Sequence, residues 1–444
     1  MQYYSTNGKA PIADLQKAVV KGLAEDRGLY MPERINRLPK AFFDDIADMS
    51  FRDIAYNVAS AFFGEDINLD SLQDLVYDTL QFDCPVVKVK DNIYTLELFH
   101  GPTLAFKDVG ARFMARLLQY FIRQSGSKEL VNVLVATSGD TGSAVANGFL
   151  GVDGIHVYVL YPKGKVSPIQ ECQFTTLGKN ITAVEVDGVF DDCQRLVKSA
   201  FMDEELNGHM RLTSANSINV ARFLPQAFYY FNAYARLRKT LKAHDKKLVM
   251  CVPSGNFGNI CSALFGHEMG LPVNRFIAAN NANDIFYKYL LTGKYEPKPS
   301  VQTLANAMDV GDPSNFARIV NLYSKNGQLS PEETHRRITG LISGATYSDD
   351  QIRETMRQCY SETGYILDPH GACGYQALVD GLQPGEVGVF CETAHPAKFQ
   401  EKVDDILGID VEIPDRLAAF MKGQKQSVPM TQSFDDFKAY LMKQ

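Results

Sequence analysis

Several features are missing from this sequence, and each absence excludes a class of answer. No apolar run approaches the roughly 18 residues that a membrane helix needs, so no membrane partner is expected. No Lys/Arg run or basic face is present, and the net charge is −7 with the signs interspersed; a nucleic-acid partner is not expected either. The eight cysteines form no C-x-x-C pair and the eight histidines show no H-x-x-x-H spacing, which leaves no metal-ligand cluster to propose. Cys251 and Cys391 lie in apolar, strand-like runs, where cysteine usually serves as a small buried hydrophobe. The first residues, Met1 to Gly8, lack a basic segment followed by an apolar one. A reduced, cytoplasmic protein is therefore expected. There is no internal repeat and no low-complexity tract. A G-x-G-x-x-G fingerprint and a P-loop are both absent, which weakens a nucleotide reading. The absence of a G-x-S-x-G elbow weakens a serine-hydrolase reading.

What is present is long and regularly patterned. At 444 residues and 45% hydrophobic composition, the chain exceeds a single core and should divide into two or three domains. Residues 1–85 read as mostly helical, with helices at 13–24, 51–63 and 69–79, and carry no clustered catalytic residue types. A hairpin follows, with strands at 86–89 and 93–98 around Lys90-Asp91-Asn92. A helix is expected over 110–123. Apolar strands at 130–136, 155–160 and 181–186 then alternate with helices, the pattern of parallel α/β layers. One long helix is expected over 218–242, and strands at 248–252, 275–279 and 387–391. Helices are expected at 331–341 and 349–363, a glycine-rich bend at 371–374, a strand around Val411 and two short helices at the end. The expected fold class is α/β: two parallel-sheet domains with a mostly helical N-terminal domain over 1–85. Residues 86–109 and 218–444 would form the large domain, and residues 110–217 the small one.

Four stretches combine residue types that carry chemistry. His100-Gly101-Pro102-Thr103-Leu104-Ala105-Phe106-Lys107-Asp108 places one lysine, Lys107, at a turn between an extended segment and an amphipathic helix; a surface lysine is the plain alternative. Pro253-Ser254-Gly255-Asn256-Phe257-Gly258-Asn259 joins a strand to a helix through small residues whose N–H groups can converge on an anion, most naturally a phosphate. A tight turn explains the same residues. Thr137-Ser138-Gly139-Asp140-Thr141-Gly142 has the same placement and suits a second anion such as a carboxylate, against a simple helix cap. Ser214-Ala215-Asn216-Ser217-Ile218-Asn219-Val220-Ala221-Arg222 offers a guanidinium able to hold a phosphate, against a structural arginine. Ligands in open α/β sheets sit beyond the carboxyl ends of strands, where the loops near 137–142 and 254–259 and the stretch 393–398 fall. A lysine beside a phosphate cradle suggests pyridoxal 5'-phosphate: the amine makes the Schiff base and the loop holds the phosphate.

The lysine stretch from Glu97 to Asp108, the Thr137 to Gly142 loop, the Pro253 to Gly258 loop and Thr393-Ala394-His395-Pro396-Ala397-Lys398-Phe399 resemble, in order, the motifs of the threonine synthase family. The resemblance covers nearly the whole chain and includes Gly28-Leu29-Tyr30-Met31-Pro32 near the start. It implies the tryptophan-synthase-β-like fold of pyridoxal phosphate enzymes and a synthase that converts O-phospho-L-homoserine and water to threonine and phosphate. Lys107 would be the Schiff-base lysine and proton shuttle. Ser254, Gly255, Asn256, Phe257, Gly258 and Asn259 would hold the cofactor phosphate. Thr393 would face the pyridine nitrogen and Asp140 the phenolic oxygen. Related members of the fold carry Asn at that last position, so a carboxylate there needs a proton or a partner. Thr137, Ser138 and Thr141 would hold the substrate carboxylate, with Arg112, Lys163 and Arg222 as candidates for its phosphate. A monomer or homodimer is expected. Two alternatives share the same motifs: a lyase on the same cofactor that releases a keto acid, and a non-catalytic phospholigand-binding module.

Overall fold

The computed structural model describes residues 1–444, and its centre is a pair of parallel sheets. The larger has six strands in the order Ile342–Thr346, Arg275–Asn280, Lys247–Pro253, Glu386–Glu392, Ile93–Glu97, Val86–Lys90. All neighbours run parallel except the final hairpin, where Val86 faces Leu96. The smaller has five parallel strands in the order Val428–Met430, Ile181–Val186, Ile155–Pro162, Val131–Ala136, Arg211–Ser214. The central strands are buried along their length; Val131–Ala136 and Glu386–Glu392 have no exposed position. That is why they read as continuous apolar runs rather than alternating ones. The expected α/β class holds.

The N-terminal helices Phe51–Phe63 and Leu69–Thr79 fall where their periodicity and caps put them. Ser50 accepts the Asp53 N–H, and Asn68 accepts those of Asp70 and Ser71. Their apolar faces do not form a core of their own. Phe63 meets Phe113 at 5.2 Å between ring centroids, and Phe62 meets Phe265 at 6.4 Å, so the first 80 residues share one core with helices from both sheets. Each buried phenylalanine or leucine there contributes about 1.5–3 kcal/mol.

Three expectations are corrected. The helix over 218–242 is broken into Val220–Phe223, a 3-10 turn at Leu224–Gln226 and Ala227–Ala243, because Pro225 has no N–H to give. The glycine-rich bend at 371–374 is instead part of the helix Pro369–Gly381, capped by Asp368. Its glycines are small so that the helix can lie flat on a strand: a Cβ on Gly371 would stand 1.8 Å from Glu392 Oε2, and one on Gly374 3.1 Å from Phe390 Cβ. No strand forms around Val411. The last strand is Val428–Met430, and it extends the smaller sheet beside Ile181–Val186. The tail of the 218–444 segment thus leaves the larger sheet, drawn over by Met430 and Phe437, which pack into the small sheet's apolar cluster.

Candidate active site

Lys107 is delivered by backbone pairing. Strand Ile93–Glu97 runs parallel to Glu386–Glu392, and the two chains stay laced beyond the sheet. Leu98 N–H donates to Glu392 O (3.0 Å), Phe106 N–H to Thr393 O (2.8 Å) and His395 N–H to Leu104 O (3.0 Å). The helix Lys107–Ser125 then begins on the lysine itself, three residues earlier than its periodicity suggests. Asp108 does not face its neighbour: it turns back to accept from Thr103 N (2.9 Å) and Thr103 Oγ1 (2.6 Å) and so locks the turn. Lys107 opens into a cavity of about 950 Å³, large enough for a cofactor and a small substrate together. Its side chain keeps partial exposure only because of that cavity; dense protein surrounds it otherwise. Burial lowers its ammonium to about 8, with Arg222 and Lys398 pushing the same way and Asp140 opposing.

Beyond strand Lys247–Pro253 the chain turns through residues 254–257 into helix Gly258–Glu268. Phe257 takes a left-handed conformation (φ 64°) at the helix start. The N–H groups of residues 255–259 make no hydrogen bond to protein. The side chains hold the loop from behind: Ser254 Oγ donates to Asn259 Oδ1 (2.9 Å), Asn259 Nδ2 to Pro253 O (2.8 Å) and Asn256 Nδ2 to Ser217 Oγ (2.7 Å). Ser254 is therefore a brace behind the cradle, while Gly255 to Asn259 line the cavity. Gly255 has no room for a side chain, since a Cβ would stand 2.7 Å from Met308 Cα and 2.9 Å from Ala307 O.

The loop after strand Val131–Ala136 is wired differently. Thr137 Oγ1 accepts the N–H groups of Gly139 (2.9 Å) and Gly142 (2.8 Å), so this hydroxyl shapes the turn. Ser138 and Thr141 face the cavity; Thr137 does not. Asp140 caps nothing. Its Oδ1 meets Lys398 Nζ at 2.5 Å and accepts from Gln170 Nε2 at 3.0 Å. Burial pushes its carboxyl up, but Lys398 and Lys107 outweigh this and hold it below its ordinary value. The partner that a carboxylate needs at this position is thus Lys398.

Thr393 lines the same cavity, and its backbone oxygen is bound to Phe106 N–H. His395 acts as a cap, its Nδ1 accepting Ala397 N–H at 3.0 Å. Of the three candidate phosphate binders, only Arg222 reaches the cavity. It is 1% exposed, donates to Ala215 O through Nη1 and leaves Nε without a partner. Burial lowers its guanidinium to about 10, with Tyr229 and Asp108 opposing. Arg112 is corrected: it donates to Thr79 O (3.0 Å) and Asp78 O (2.9 Å), closing the carboxyl end of helix Leu69–Thr79. Lys163 is also corrected, being exposed outside the cavity, whereas Lys165 stands on the rim.

Comparison with known proteins agrees with this geometry. The family model described as pyridoxal-phosphate dependent enzyme matches residues 83–391, and models described as threonine synthase N terminus and threonine synthase, C-terminal match residues 2–80 and 371–441. The chain belongs to the threonine synthase family. It is 42% identical to the threonine synthase of Serratia marcescens over 442 residues, covering 100% of this chain and 99% of that one. It superposes on the crystal structure of the Escherichia coli threonine synthase with a TM-score of 0.91, at 41% identity and full coverage of both chains. The pyridoxal-phosphate-bound threonine synthase structure from Brucella melitensis gives a TM-score of 0.91 at 34% identity, covering 100% of this chain and 99% of that one.

A threonine synthase is a pyridoxal-phosphate-dependent lyase, and the residues present fit that cofactor. Five unpaired N–H groups at a helix start suit a phosphate, and a lysine amine and a free-standing threonine hydroxyl share the cavity with them. Lys398, Gln170 and Lys165 carry no individual expectation from the sequence, and Asn216 and Ser217 enter only as an amide and a hydroxyl of the stretch 214–222. One signal for Lys398 was available: an aspartate expected inside a buried site needs a cation, and the Thr393 motif contains one.

Proposed function

We propose that the substrate is O-phospho-L-homoserine and that the products are L-threonine and phosphate. Five free N–H groups beside a lysine amine carry this reading on the cofactor side. Residues 255–259 hold the cofactor phosphate, Thr393 lies by its pyridine nitrogen and Asp140, clamped by Lys398, by its phenolic oxygen. Bound pyridoxal phosphate supplies an electrophilic carbon for an amine and a ring that draws electron density from the substrate's α-carbon. Ser138 and Thr141 bind the substrate carboxylate. Arg222 binds the substrate phosphate; it is buried, faces the cavity and has no carboxylate partner, so an anionic ligand would complete it. Asn216 and Ser217 stand beside it on the cavity wall.

The chemistry then falls to one group. As an uncharged amine, Lys107 Nζ takes the proton from the substrate α-carbon, gives it up again, and is then free to take one from the β-carbon. The phosphate leaves from the γ-carbon with the bonding pair, Arg222 neutralising it. Water adds its hydroxyl at the β-carbon and its remaining proton goes to the departed phosphate, while Lys107 returns one proton to the γ-carbon and one to the α-carbon. Burial suits Lys107 to this, because an ordinary lysine near pH 10.4 would stay charged at neutral pH. The assembly proposed is a monomer or a homodimer. The eight free thiols suit a reducing cytoplasm, and no helix is long and apolar enough to cross a membrane.

The test supplies O-phospho-L-homoserine to the protein with pyridoxal phosphate and measures threonine, phosphate and keto acid. Threonine and phosphate in equal amounts are expected. Keto acid and ammonia without threonine would overturn the substrate assignment. Lys107→Ala should abolish turnover and the borohydride-reducible link to the cofactor; a link that survives would remove Lys107 from its role.

A further inference from the structure

Lys398 has no part in the reaction as proposed, yet it is among the most completely enclosed charged groups in the molecule. It stands on the short turn Pro396–Phe399 beyond the larger sheet, with 0% of its side chain exposed. Its Nζ touches Asp140 Oδ1 at 2.5 Å and donates to Thr103 O at 2.9 Å. Asp140 belongs to the smaller sheet's loop, and Thr103 to the turn that Asp108 locks before Lys107. One ammonium therefore ties together the loops that carry the lysine, the aspartate and Thr393.

The charges around Lys107 are unbalanced. Asp140 is the one carboxylate that draws a proton toward it, while Lys398 and Arg222 repel one. Asp108, although next in sequence, is committed to Thr103. Two lysines thus face a single carboxylate, and Lys398 makes the contact. Lys107 has no hydrogen-bonded ion pair, and the Phe106 ring lies 5.6 Å from its Nζ.

We propose that Lys398 is a positioning residue that acts through Asp140: by occupying this carboxylate it leaves Lys107 as an uncharged amine, free to attack an aldehyde. Without Lys398, Asp140 is left with Lys107, the other cation whose charge acts on it, and holds its proton. The inference rests on the assignment of Lys107 as the cofactor lysine, and its test separates the two.

The full-length chain, stripped of cofactor, is mixed with pyridoxal phosphate, and the rate of visible-band formation is followed against pH. Only the uncharged amine attacks, so the midpoint reports Lys107. Titration of free pyridoxal phosphate is common to all variants and cancels in their comparison. Lys398→Met should raise the midpoint by about one pH unit, making uptake about tenfold slower at neutral pH. Adding Asp140→Asn should return the midpoint to the wild-type value or below, which a purely packing role for Lys398 would not do. An unmoved midpoint in Lys398→Met overturns the proposal. If that variant does not fold, Asp140→Asn alone decides: a lowered midpoint is expected, and an unchanged one overturns it. A Lys107→Ala chain that still forms a reducible lysine link would instead refute the assignment of Lys107.

Discussion

The loops at 254–259 and 137–143 look alike in sequence: a buried strand, a run of small and polar residues, then a helix. Their wiring differs. In the first, five successive N–H groups are unpaired and the side chains brace the loop from outside. In the second, Thr137 Oγ1 takes two N–H groups and Gly139 O takes a third, leaving those of Ser138, Asp140 and Thr141. A phosphate dianion with three peripheral oxygens needs the first arrangement, and a carboxylate with two oxygens is served by the second. The same local grammar thus yields two anion sites of different capacity, according to where the side-chain oxygens point.

If the capacities differ in this way, damage to one loop should cost cofactor and damage to the other should cost substrate. The largest effect is expected for Gly255→Val. Its Cβ would strike Met308 Cα and Ala307 O, which are backbone atoms that cannot step aside, so the cradle must move. Losing two charge-assisted hydrogen bonds at about 1.5–3 kcal/mol each should weaken pyridoxal phosphate binding by about 100-fold or more, measured by absorbance titration. A cofactor affinity close to wild type would break the comparison. Thr137→Val comes next. It strands two buried N–H groups at about 1–3 kcal/mol each, so thermal stability should drop, and the KM for the phosphorylated substrate should rise well beyond any change in cofactor Kd. Thr137→Ser should restore both.

What could be read from the sequence divides along the same line. The four motifs, their order and their strand-to-helix placement are local properties, set by small residues and apolar runs, and they identified Lys107, the cradle and Thr393 as neighbours. Contacts between distant segments carry no such local mark. Lys398 and Asp140 are 258 positions apart in the numbering, and nothing near either announces the other. Arg112 was misplaced for the same reason: its closeness to Lys107 in sequence says nothing about the side of the helix on which it projects. The final strand is three residues long, too short for periodicity to reveal it, and only its pairing with Ile181–Val186 defines it.

Smaller effects sharpen the assignment within the second loop. Thr141→Ala and Ser138→Ala each remove one hydroxyl that faces the cavity. Each should raise KM by about three- to tenfold, equivalent to about 0.5–1.5 kcal/mol, with kcat nearly unchanged, because a carboxylate contact made equally in ground and transition states affects binding alone. A fall in kcat at constant KM would move these hydroxyls from anchoring the substrate to acting on its reacting carbons.

The smallest catalytic effect is expected where the sequence reading pointed and the structure does not. Arg112 donates to the last carbonyls of helix Leu69–Thr79, and these two bonds are its contribution. Arg112→Ala should therefore lower stability by about 1–3 kcal/mol, visible in a denaturant or thermal midpoint, while the KM for the phosphorylated substrate stays within about twofold of wild type. Arg222→Lys provides the contrast. It keeps a positive charge at a cavity-facing position but gives up the planar fork that can hold a phosphate bidentately, so its loss should fall on KM rather than on the melting curve. If the two variants exchanged these signatures, the substrate phosphate would belong by Arg112, and the cavity between the two sheets would not be the place where it binds.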